Sequence, residues 1–304
     1  TSVEPSVQSS SLELSWTLPE CDGVVGYDIY RFTDSLGYAP VNCNVNVPDG
    51  YVLVGHNEGV ENTSYIDDDQ GAGLIHGRKY CYIIVAVNSD GSFAFPSTEG
   101  CGELVKDVPI LKKVSVGVTD AVNGLDTVSW YSPVELDRDK TPPPYAYSLS
   151  LSTNPNGGFK EVYRSQTVFD PLILDSSHVV KGINTLDSQY YFKIELLSGT
   201  FLESRGAARN ASSVFLSSIP NDNQLTLIWQ EDVPWVNSLH EVYRVFDLAN
   251  PIDSLQLIDT SYTDRYVVKN LANERPYRFL VKSIGEYSSD ALPGVLVNYS
   301  QVHT

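Results

Sequence analysis

The chain contains no methionine in 304 residues, as expected of a processed chain or an excised fragment. It has no run of about twenty apolar residues, so no helix encoded here inserts into a membrane. Basic residues are scarce, with 20 Lys and Arg against 38 Asp and Glu and a formal charge of −18. That balance argues against nucleic acid or an anionic membrane surface as a partner, because both reward clustered Lys and Arg. The five histidines (His56, His76, His178, His240 and His303) form no His-x-His or His-x-x-x-His pair, so the sequence encodes no metal seat of that kind. Also missing are a Gly-x-Ser-x-Gly elbow, a phosphate-cradling glycine loop and Gly-x-Gly-x-x-Gly. No catalytic pattern and no cofactor is expected.

What is present is a repeat. The segments LELSW at 12–16, DTVSW at 126–130 and LTLIW at 225–229 each read as a strand closed by a tryptophan. Each is followed by a second alternating strand, opening at Tyr80, Tyr190 and Tyr277. The spacing from Trp16 to Tyr30 equals that from Trp229 to Tyr243. Recurrence at intervals of roughly a hundred residues means three copies of one small domain, with expected boundaries of 1–107, 108–212 and 213–304. Short alternating runs separated by Gly, Asn, Asp and Pro clusters, without sustained helical periodicity, predict an all-β chain of sandwiches. Short linkers that are not Gly/Ser tethers predict a stiff, rod-like array.

All four cysteines fall in the first copy. A turn at 88–92 lies midway between Cys81 and Cys101, so the two should face each other across a hairpin. Cys21 and Cys43 bracket a different strand and form the natural second pair. Two disulfides would indicate an oxidising compartment. The alternative is four buried thiols; against it, Cys81 alternates with Tyr80 and Tyr82 and should lie on an outward face.

The segment from Leu74 to Tyr80, reading LIHGRKY, has the Leu-x-Pro-Gly-x-x-Tyr spacing of a sandwich corner with the proline replaced. Leu271 to Tyr277 keeps the spacing with Pro276 displaced, and Ile183 to Tyr190 is one residue longer. With the tryptophan late in the second strand, this arrangement resembles the fibronectin type III domain across all three copies. The resemblance implies three tandem immunoglobulin-like β-sandwiches, each with a corner tyrosine whose hydroxyl bonds to nearby backbone. Segments at 67–74, 79–86, 105–110, 128–136, 281–285 and 298–301 also resemble surface proteins of gliding, Bacteroidetes-type bacteria. In those proteins such domains precede a sorting domain read by the type IX secretion machinery. That narrower likeness implies an exported, cell-surface fragment without its export signal.

Three features are candidates for a site. Asp67, Asp68 and Asp69 precede Gly71 and Gly73 and are the best calcium candidate, but without the alternation of a helix–loop–helix site the run reads first as a solvated turn. The excursion over 34–50, containing Tyr38, is a candidate contact loop that a Cys21–Cys43 bridge would stiffen. Trp235 is a candidate exposed aromatic contact, against the competing reading that it packs over its own sandwich. Sequons at Asn62, Asn210 and Asn298 matter only in a glycosylating pathway. The expected function is therefore a non-enzymatic stalk or adhesion segment of a larger exported protein, extracellular or at the cell surface, with a protein or glycan ligand. The alternative is an accessory region of a secreted carbohydrate-active enzyme.

Overall fold

Alternating residues become strands because one face is buried. In the strand Gly124–Tyr131 buried and half-buried residues alternate along the whole length, with Asp126, Val128 and Trp130 inward. The structure is a computed structural model that describes all residues except 7–9, 20–22, 34, 35, 41–45, 135, 137, 140, 249 and 250. Among the described residues, helix is confined to the 3-10 turns Pro171–Ile173 and Ile252–Ser254, and no helix is long and apolar enough to cross a membrane.

The first copy contains β1 (Ser2–Ser6), β2 (Ser11–Ser15), β3 (Val24–Thr33), β4 (Val52–Glu58), β5 (Ser64–Asp67), β6 (Lys79–Asn88) and β7 (Gly100–Glu103). They form a sheet ordered β1-β2-β5 and a second ordered β4-β3-β6-β7, all antiparallel. Leu12, Leu14, Tyr27, Ile29, Tyr82 and Ile84 fill the core. From Tyr80 to Ala86 every residue of β6 is buried, so both of its faces are covered.

The second copy contains β8 (Ile110–Val118), β9 (Gly124–Tyr131), β10 (Tyr145–Ser152), β11 (Lys160–Arg164), β12 (Ser177–Ile183), β13 (Tyr191–Ser198), β14 (Glu203–Ala207) and β15 (Ala211–Ser212). Its sheets are ordered β12-β9-β8 and β11-β10-β13-β14, with β15 also paired to β13. The third contains β16 (Phe215–Asn221), β17 (Gln224–Gln230), β18 (Val236–Val245), β19 (Leu255–Ser261), β20 (Arg265–Lys269), β21 (Phe279–Glu286) and β22 (Leu296–Tyr299). These are ordered β16-β17-β20 and β19-β18-β21-β22. The chain is thus all-β, with three immunoglobulin-like sandwiches in tandem.

The repeated residues take equivalent places. The hydroxyl of Tyr80 accepts from the Ile75 amide at 3.0 Å, that of Tyr190 from Asn184 at 3.2 Å and that of Tyr277 from Ala272 at 2.9 Å. The longer second corner therefore reaches one residue further back to make the same bond. Each tryptophan meets an aromatic ring of the following strand: Trp16 meets Tyr27 at 5.2 Å, Trp130 meets Tyr147 at 5.4 Å and Trp229 meets His240 at 5.1 Å. Trp130 and Trp229 are fully enclosed. Trp16 is only half-buried, at the margin of its core.

By compactness the chain divides into two units, Thr1–Lys106 with Ser288–Ala291, and Asp107–Tyr287 with Leu292–Thr304. The second and third sandwiches thus belong to one unit. Polar side chains join them where β8 lies beside β22. The Val114 amide donates to Asn298 Oδ1 at 2.8 Å, the Tyr299 amide to Ser115 Oγ at 2.9 Å and the Val302 amide to Thr119 Oγ1 at 2.7 Å. Asn298 is consequently buried, and its sequon is closed to modification.

Candidate functional site

Between β3 and β4, the described residues Leu36, Gly37, Tyr38 and Tyr51 converge on a residue far along the chain, Glu99. One oxygen of its carboxylate accepts from the Leu36 amide at 3.1 Å, and the other from the Gly37 amide at 2.9 Å. The Tyr51 hydroxyl donates to the first oxygen, and the Glu99 amide donates to the Tyr38 carbonyl at 3.1 Å. Burial first, and the adjoining carboxylate second, raise the Tyr51 phenol above its ordinary range, which keeps it a donor. Phe32 and Tyr51 pack with ring centroids 5.5 Å apart. Gly50 turns the chain over Phe32 at a φ of 97°, where a Cβ would stand 2.9 Å from the ring, so glycine is required. The loop's feet are thereby fixed while Leu36, 51% exposed, faces solvent. Tyr38 is half-buried with its hydroxyl enclosed and without a hydrogen-bond partner among the described residues.

Glu99 stands beside a covalent anchor. Cys81 and Cys101 are register partners on β6 and β7 and form a disulfide, the pairing expected from the hairpin. Cys81 is fully buried, not outward as its alternation suggested, because both faces of β6 are covered. Among the described residues, Cys81, Glu99 and Cys101 are the one group whose ligating atoms converge as a metal site would. Both sulfurs are spent in the disulfide, so the arrangement serves as a brace. Cys21 and Cys43 lie outside the described residues.

The acidic run holds a guanidinium. Arg31 donates to both oxygens of Asp67, at 2.9 and 3.0 Å, and to Asp69 at 2.7 Å. Tyr82 adds a hydroxyl to Asp67 at 2.8 Å, and Asp68 accepts from the Gly71 amide at 3.0 Å. Asp67 is buried, and a buried carboxylate needs such partners. Of the three calcium candidates, Asp67 and Asp69 are thus engaged by Arg31, and Asp68 accepts a backbone amide.

Trp235 is corrected as an exposed contact. It is 3% exposed, its indole donates to Asn237 Oδ1 at 3.0 Å, and its ring meets Tyr287 edge-on at 5.9 Å. Tyr38, by contrast, stays within the surface loop that Glu99 holds.

Two residues escaped the sequence reading. Nothing near Glu99 in sequence signals its role, since its partners are some fifty to sixty positions away. Asp126 carried a signal, because it alternates in phase with Val128 and Trp130. Its carboxylate is fully buried with neither oxygen hydrogen-bonded among the described residues, and burial pushes it up to about 7. Counted back from the tryptophan, its place is held by Leu12 in the first copy and Leu225 in the third.

No family model and no curated protein matches the chain. Among solved structures it is similar to the FN1-FN3 domains of chicken CNTN1 at 14% identity, over 99% of this chain and 97% of that one. The TM-score is 0.26, so the fold assignment rests on the sheets described above.

Proposed function

We propose that the chain is a non-enzymatic recognition segment of a larger exported surface protein, in which the loop at 36–51 contacts a protein or glycan and the other two sandwiches act as a stalk. The observation that carries this reading is the tie between Glu99 and that loop, braced by the Cys81–Cys101 disulfide. A loop ordered before binding loses less conformational entropy on contact, and binding residues concentrate on loops held by a rigid scaffold. The disulfide favours an oxidising, extracellular compartment. A bacterial gliding-type surface protein delivered by type IX secretion is the setting that the short sequence resemblances suggest.

Glycan and protein arrays probed with the wild type and with Leu36→Asp test the site. Leu36 is exposed, so the variant should fold, and its signals should fall at least about tenfold. Unchanged binding by Leu36→Asp would remove the loop as the contact surface. Hydrolysis of a polysaccharide or peptide by the purified chain would overturn the non-enzymatic reading. The parent reading frame tests the setting, which requires a C-terminal sorting domain.

A further inference from the structure

The second and third sandwiches share an open surface cleft that the loop at 36–51 does not involve. It has a volume of about 390 Å3 and lies between Lys112, Lys113, Ser129 and Tyr131 on one side and residues 293–297 on the other. Ligand-binding clefts begin at about 300 Å3. We propose that this cleft binds a small acidic saccharide, with Lys112 and Lys113 receiving its carboxylate or sulfate.

The two lysines share the cleft because the strand is irregular there. Leu111 pairs with Trp130 and Lys113 with Ser129, leaving Lys112 as the extra residue of a β-bulge. Consecutive side chains of a regular strand point to opposite faces, whereas a bulge re-aims them. Both lysines consequently line the same cleft, between the buried residues Leu111 and Val114. No ion pair is formed by either ammonium among the described residues. In a chain of charge −18, two adjacent unpaired cations are a local exception to a field that repels anions.

The walls are held before any ligand arrives. The Tyr131 hydroxyl donates to the Pro293 carbonyl at 3.0 Å, and Lys112 Nζ stands 4.9 Å from the centre of the Tyr131 ring. Tyr131 in turn packs edge-on against Tyr287. An ammonium pair offers charge-assisted hydrogen bonds to an anionic group. The Ser129 hydroxyl and the peptide groups of 293–297 suit sugar hydroxyls, and exposed Pro293 and Val295 suit the C–H face of a sugar ring. That mixture of partners fits an acidic sugar better than a bare inorganic anion. The site is independent of the loop at 36–51, and each can fail without the other.

The test is a titration of the isotope-labelled full chain with digalacturonate, a sulfated disaccharide and neutral cellobiose, followed at backbone amides. Saturable shifts at Lys113, Gly294 and Val295 are expected with at least one acidic probe, and none with cellobiose. The Lys112→Gln/Lys113→Gln double variant should bind at least about tenfold more weakly with an unchanged melting temperature, while Lys113→Arg keeps binding. Salt near about 0.5 M should weaken the wild type. The proposal is overturned by silence with both acidic probes, by shifts confined to another surface, by equal binding of cellobiose, or by wild-type affinity in the double variant.

Discussion

The hydroxyl of Tyr287 donates to the carbonyl of Leu111 at 2.6 Å, and this bond fastens the end of β21 in the third sandwich to the first strand of the second. Tyr287 is buried, with Trp235 and Tyr131 packed edge-on around its ring. Replacing it by phenylalanine keeps the ring and leaves the Leu111 carbonyl unpaired, at a cost of about 1–3 kcal/mol. Calorimetry of the wild type should show the second and third sandwiches melting in one transition, and Tyr287→Phe should lower that transition. Separate melting of those two sandwiches would contradict the shared unit.

Asp126 makes the stability of the second sandwich depend on pH. Its folded pKa of about 7 lies above the value of about 3.9 for an unfolded aspartate. Such an acid leaves the fold unpenalised below about pH 4, and stability is then lost as the pH rises through about 7. Roughly 4 kcal/mol is at stake, at about 1.4 kcal/mol per pH unit. Asp126→Leu restores the residue type of the other two copies and should remove the penalty. The difference in denaturation midpoint between variant and wild type should widen from pH 4 to 7. A difference independent of pH would refute the assignment.

His76 gives the first sandwich the opposite sign. It is buried, and burial alone lowers it to about 4. A histidine held neutral contributes its full stability above the unfolded value of about 6.5, which is lost as pH falls toward about 4. In His76→Gln this component of the acid sensitivity should vanish. Identical acid unfolding curves for the first unit in both proteins would show that His76 is not the group responsible.

Reducing the Cys81–Cys101 bridge should act on the first sandwich alone. Its cysteines are 20 residues apart, and a loop of that length is worth roughly 3 kcal/mol in the chain-entropy account. Proteolysis after reduction should therefore begin in the first sandwich. Equal acceleration of cleavage in all three sandwiches would contradict a local brace.

The parts of this fold legible in the sequence were those repeated or periodic. Three tryptophans and three corner tyrosines at similar spacing give the copies, and the one-residue excess before Tyr190 marks the corner that reaches back to Asn184. Cys81 and Cys101 could be paired because a hairpin turn lies midway between them. Trp235 was not legible, since its burial against Tyr287 depends on how the third sandwich is packed. The partnership of Asp67 with Arg31 was hidden for a similar reason, as the two meet only when separate sheets close on each other. Asp126 could have been read as buried, because its alternation and the leucines of the other copies both place it inward.

Glu99 ties Leu36, Gly37 and Tyr38 to Tyr51, and amide hydrogen exchange tests this most directly. In the wild type the amides of Leu36 and Gly37, which donate to the Glu99 carboxylate, should exchange slowly. In Glu99→Ala both should exchange at the rate of an open loop, while the Val114 amide, bonded to Asn298 in the other unit, stays unchanged. Rapid exchange of Leu36 and Gly37 in the wild type, or protection that survives the loss of Glu99, would contradict the account.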